Sequence, residues 1–167
     1  MTLKQLNDLE ETQLLYELKK CCGSEKWARD LAGRFPFDSQ EQLFESSENA
    51  WHKCAEPDYK QAFDHHPRIG HSAKLSEKFV DTASWAEAEQ AGVKDKSNEV
   101  LEALAECNRL YEEKFGYIFI INASGKSAAE ILGTLRWRLL NEPADEIIIA
   151  AEEQNNITKI RLEKLLS

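Results

Sequence analysis

Three of the four histidines, His65, His66 and His71, fall within seven residues, around Pro67 and Gly70. Histidine is the side chain whose ordinary pKa lies close to neutrality, so one imidazole can give and take a proton in turn. His66 stands directly before proline, and the proline ring pushes the preceding residue out of helical geometry. Gly70 allows a sharp turn just beyond. The run Asp64-His65-His66-Pro67-Arg68-Ile69-Gly70 therefore holds an imidazole on a stiff, non-helical corner, which suits a positioned general acid/base. Two other readings stay open. His65, His66 and His71 with Asp64 offer enough ligands for zinc in a metal-dependent hydrolase. Against it, no i, i+4 histidine pair and no H-E-x-x-H motif is present, so no metal is expected. Alternatively the corner only packs, in a non-catalytic helical interaction module.

Other residues could take part. Glu87, Glu89 and Gln90 form a polar cluster before Gly92, either a solvated helix face or carboxylates beside a loop. Ala123-Ser124-Gly125-Lys126-Ser127 looks like part of a phosphate loop. The position five residues before Gly125 is Ile120 rather than glycine, so the Walker pattern is incomplete. A helix-capping loop at Ser127 is the simpler reading. Arg161 lies among Ile157, Ile160 and Leu162, either snorkelling to solvent or offering a guanidinium fork to a carboxylate or ureide carbonyl. His52, beside Trp51 in a helical stretch, reads as a partly buried structural residue. Nucleophilic catalysis has no G-x-S-x-G to support it.

The elements that must position these residues are almost all helical. Thr2 with Gln5, Ser39 with Gln42, and Ser127 with Glu130 have capping-box spacing, and Ser24 can cap a helix carrying Trp27 and Leu31. Gly23 and Gly116 read as helix stops, and Pro57 and Pro143 as helix starts. Ser97 opens a long amphipathic helix with Val100, Leu104, Cys107 and Tyr111 on one face. The one strand-like run, about 117–122, has no sheet to join and is read as a buried extended segment. The runs Ile118–Ile121 and Ile147–Ala151 are of core size. The expected fold is all-α: a compact, irregular bundle of about eight or nine helices in a single domain, 1–167.

The formal net charge of −9 argues against nucleic acid, whose phosphates need clustered Lys and Arg, and against an anionic membrane surface. No apolar run approaches the roughly 20 residues of a membrane span. Cys21, Cys22, Cys54 and Cys107 include no C-x-x-C pair and read as reduced thiols. With no signal-peptide pattern at Met1-Thr2-Leu3-Lys4-Gln5, the expected location is cytoplasmic.

Phe63-Asp64-His65-His66-Pro67-Arg68-Ile69-Gly70, Glu89-Gln90-Ala91-Gly92, Phe115–Ile121, Gly125-Lys126-Ser127 and Lys159-Ile160-Arg161-Leu162 occur in one order along the chain. Leu6-Asn7 and Arg34-Phe35-Pro36-Phe37 fit the same set. Together they resemble the 2-oxo-4-hydroxy-4-carboxy-5-ureidoimidazoline (OHCU) decarboxylases. The resemblance implies an all-helical, homodimeric enzyme of urate catabolism that needs no cofactor and converts OHCU to (S)-allantoin and carbon dioxide. It also implies roles. His66 and Glu89 are catalytic. Pro67, Ala86, Gln90 and Arg161 bind substrate, as do Phe119, Ile120, Ile121, Asn122 and Ala123 through their backbone. Ala86 departs from the family pattern, which often has serine there; Ser84 lies two residues earlier.

Overall fold

A computed structural model describes residues 1–67 and 98–167; among them are eight helices and no strand. They are α1 (Leu3–Asn7), α2 (Glu11–Cys21), α3 (Glu25–Ala32), α4 (Gln40–Trp51), α5 (Glu56–Phe63), α6 (Asn98–Phe115), α7 (Ala128–Arg138) and α8 (Pro143–Leu165). None of them is long and apolar enough to cross a membrane. Two units are distinguished, Met1–Ala62 with Gln154–Ser167, and Phe63–Glu153.

In the first unit, side chains satisfy the amides that helix starts leave open. Thr2 and Gln5 form the reciprocal capping box, and Ser24 Oγ accepts from Trp27 N–H at 3.2 Å. Ser39 caps α4, but the Gln42 amide accepts from Asp38 N–H instead of returning to Ser39. The α2 helix stops before Gly23, because Cys22 already has extended backbone angles. Leu6, Leu18, Trp27, Leu31, Leu43, Trp51 and Leu162 are buried, and Trp27 Nε1 donates to the Ser47 carbonyl at 3.1 Å. Asn7 holds the Phe35-Pro36-Phe37 loop by donating to Phe37 C=O at 2.8 Å and accepting from Phe37 N–H at 3.1 Å.

In the second unit, Gly116 ends α6 with φ of 81°, a left-handed angle that glycine adopts without a Cβ clash. The chain from Tyr117 to Ala123 then runs buried for most of its length, in neither helix nor strand, before the Ser127–Glu130 capping box opens α7. This is the buried segment the sequence led us to expect. Around it sit Phe63, Tyr111 and Phe115, with the Tyr111 ring 5.2 Å from that of Phe119.

Beneath the rings lies an ion pair. Arg138 (6% exposed) donates from Nε to Glu146 Oε1 at 2.7 Å, and Glu146 is wholly buried. Tyr111 OH donates to the same carboxylate oxygen at 2.5 Å, and Asn141 Nδ2 to the other at 2.8 Å. Arg138 Nη1 reaches the Ile120 carbonyl at 2.5 Å, with its guanidinium 4.5 Å from the centre of the Phe119 ring. Burial pushes the Tyr111 phenol well above its ordinary pKa; the Arg138 charge opposes this, and the hydrogen bond to Glu146 reinforces it.

The run at 147–151 is only partly core. Ile148 is 61% and Ile149 38% exposed, whereas Glu146, Ala150 and Gln154 are buried. Spacing of four along α8 sets that inward stripe, and Glu146 takes a place that hydropathy alone would give to an isoleucine. Arg138→Met leaves the Glu146 charge buried without its partner. Urea titration should show a loss of about 3–5 kcal/mol, whereas exchanging the exposed Arg136 for methionine should change stability by less than about 0.5 kcal/mol.

Candidate active site

The histidine corner follows directly from the end of α5. His66 N–H donates to Phe63 C=O at 3.0 Å, closing a turn that leaves Asp64 exposed and His65, His66 and Pro67 half-buried. An imidazole in that position is only partly shielded from solvent. The Phe63 ring packs 5.1 Å from the Tyr117 ring, so the corner begins against the first residue of the buried segment.

Charged side chains hold that segment by its backbone. Arg138 takes Ile120 C=O, as above. Glu153 Oε2 accepts from Asn122 N–H at 2.6 Å, and Lys126 Nζ donates to Asn122 C=O at 2.8 Å. Lys126 N–H closes on Ala123 C=O at 3.1 Å, and Gly125 supplies the left-handed angle between them, φ 72°. Lys126 is thereby turned back on its own loop, which supports the capping reading of this motif over an anion site. Other backbone groups here have no partner among the described residues: the N–H and C=O of Phe119 and of Ile121, and the N–H of Ile120 and of Ala123. All four residues are at most 6% exposed. Buried backbone groups are nearly always paired with protein, water or ligand.

Arg161 belongs to the first unit and is 2% exposed, so it does not snorkel to solvent. Its charge acts on Cys21 and Cys22. Burial raises both thiols far above their ordinary pKa, Cys22 to about 12, with Arg161 pulling the other way. Thr158 and the backbone at Ser24 also lower Cys22. Ala86, Glu89 and Gln90, with Ser84, Glu87, His71 and the helix start at Ser97, lie outside the described residues. Among the described residues no group of three His, Cys, Asp or Glu side chains is placed to hold a metal ion. His52 corrects the reading above: it is exposed, because it caps the end of α4 instead of lying within the helix.

The OHCU decarboxylase family model matches residues 7–163. The chain belongs to the OHCU decarboxylase family. A uric acid degradation bifunctional protein of Arabidopsis thaliana is 40% identical over 152 residues, which is 90% of this chain and 47% of that protein. A bifunctional protein of the same description from a Bacillus species is 25% identical, over 99% of this chain and 32% of its own length. The chain thus spans about half and about a third of these two relatives. The OHCU decarboxylase of Haloferax volcanii is 23% identical, over all of this chain and 97% of its own. Among solved structures, an OHCU decarboxylase crystallised in the presence of (S)-allantoin superposes with a TM-score of 0.77 at 36% identity, covering 90% of this chain and 96% of that one. An (S)-allantoin synthase superposes at 0.69 with 17% identity and shares the fold.

Sequence reading missed Arg138, Glu146 and Glu153 as residues that hold the segment. A signal for the first was present: Arg138 continues the inward spacing of Ile131 and Leu135, so a charge there had to be buried and paired. The thiols are readily checked. Near pH 8, a disulfide reagent should titrate the half-buried Cys107 in the folded protein and all four thiols in denaturant. Because the folded state raises the pKa of Cys21, Cys22 and Cys54, their contribution to stability is complete below the unfolded value of 9.0. It should fall away as pH rises towards 12.

Proposed function

We propose that residues 1–167 form one OHCU decarboxylase domain that converts OHCU to (S)-allantoin and carbon dioxide. The observation that carries this reading is the match of the family model to nearly the whole chain, joined to the likeness to a decarboxylase crystallised in the presence of (S)-allantoin. The backbone groups of the 119–123 segment that have no partner among the described residues support it, because substrate and product are dense in amide and ureide edges that pair with such groups.

The chemistry asks for placement and proton handling. The substrate carries a carboxylate and a hydroxyl on one ring carbon, beside a ring imine. When carbon dioxide leaves, the bonding electrons pass into that imine, so the substrate is its own electron sink and no cofactor is invoked. Pro67, Ala86, Gln90, Arg161 and the backbone of Phe119, Ile120, Ile121, Asn122 and Ala123 hold the molecule so that the carboxylate is set to leave. Glu89 orients the hydroxyl and His66. The imidazole, on its half-buried corner, manages the proton and delivers it to one face of the enamine-like intermediate. Delivery to one face gives one enantiomer. Circular dichroism of product formed from fresh OHCU should show (S)-allantoin with the protein and a racemate without it. His66→Ala should return the product to the racemic, uncatalysed course while the far-ultraviolet spectrum stays that of the folded chain; an unchanged yield of (S)-allantoin would remove His66 from its role.

A homodimer in the cytoplasm completes the reading. The reduced thiols support the compartment. For the dimer, Trp137 and Leu140 at the end of α7 are 75% and 71% exposed, and Ile148 on α8 is 61% exposed, large apolar side chains of the kind an interface between copies covers. Trp137→Glu should shift the mass measured by light scattering from two chains to one, with the helical signal retained.

A further inference from the structure

The peptide group is planar and trans, so a C=O and the N–H of the next residue point in opposite directions. Arg138 Nη1 holds Ile120 C=O at 2.5 Å, which fixes the Ile120–Ile121 peptide plane and sends the Ile121 N–H away from the guanidinium. Glu153 Oε2 holds Asn122 N–H at 2.6 Å, which fixes the next plane and sends Ile121 C=O away from the carboxylate. Both polar groups of Ile121 are therefore set in direction by charged side chains on the helices that follow. Ile121 is 6% exposed, and neither its N–H nor its C=O has a partner among the described residues. A donor and an acceptor on one residue, both aimed and both without a partner among the described residues, match the complementary pair on an amide or ureide edge.

We propose that Arg138 and Glu153 are positioning residues that aim the backbone of Ile121 at the ureide or ring amide of the substrate. The inference rests on the decarboxylase reading and adds to it two residues that act without touching substrate. Their charges suit the task, since a charged group grips a backbone partner more firmly than a neutral one. Arg138 is itself braced by Glu146, Asn141 and Tyr111 through that carboxylate, so its grip on Ile120 is stiff.

Glu153 is the better probe, because Arg138→Met disturbs the buried pair and with it folding. In the full chain, Glu153→Ala should raise KM about tenfold with kcat little changed, the size expected for losing the aim of one or two hydrogen bonds. Glu153→Gln keeps an acceptor oxygen and should stay near the unaltered KM. Nuclear magnetic resonance of the 15N-labelled chain gives a readout besides turnover. (S)-allantoin should shift the Ile121 amide proton downfield in the unaltered protein and in Glu153→Gln, and not in Glu153→Ala. A Glu153→Ala protein that keeps both KM and the shift overturns the positioning role, as does a loss of kcat alone shared equally by the two variants. An unaltered protein that neither turns over OHCU nor shows the shift overturns the decarboxylase reading, and this proposal with it.

Discussion

A guanidinium and a carboxylate can share a protein interior only when their remaining hydrogen-bonding capacity is also met. Arg138 and Glu146 meet that condition through three outside partners: the Tyr111 hydroxyl, the Asn141 amide and the Ile120 carbonyl. The arrangement couples α6, α7, α8 and the irregular segment at a single point. A buried pair adds little net stability, because desolvation offsets most of the attraction, yet losing one member costs several kcal/mol. What the pair contributes here is a fixed place for a stretch of chain that has neither a helix nor a sheet to fix it.

That stretch needs such a fixture. In helices the backbone satisfies itself, and local sequence decides where it starts and stops. From Tyr117 to Ala123 nothing local does so, and Arg138, Glu153 and Lys126 reach in to take backbone groups one at a time. Gly116 and Gly125 bracket the segment with left-handed angles, so its two ends are turned by glycine and its middle is held by charge.

The helices were legible because their signals are local. Thr2, Ser24 and Ser127 cap where their spacing says, Gly116 stops α6, and Pro143 starts α8. Errors came where a neighbour outbid the local rule. Gln42 turned to Asp38 and not to Ser39. Ile148 and Ile149 read as interior by hydropathy, but the helical period gives that face to Glu146 and Ala150. Of the candidate site, the His66 corner and the buried segment could be read from the chain, because proline and an isolated β-branched run constrain the backbone directly. The grip of Arg138 on Ile120 joins positions eighteen residues apart and follows no spacing rule, so only the folded chain reveals it.

The proposed recognition through main-chain atoms has an evolutionary corollary. The N–H and C=O of Ile121, without a partner among the described residues, belong to the polypeptide itself, and any residue of similar bulk there displays the same pair. On the proposed reading, side chains at 119, 120, 121 and 123 answer to packing alone, and drift among aliphatic and aromatic types leaves the same backbone edge on display. The positioning role proposed for 138 and 153 moves constraint to those charged positions, where exchange would silently rotate a peptide that no alignment of binding residues would single out.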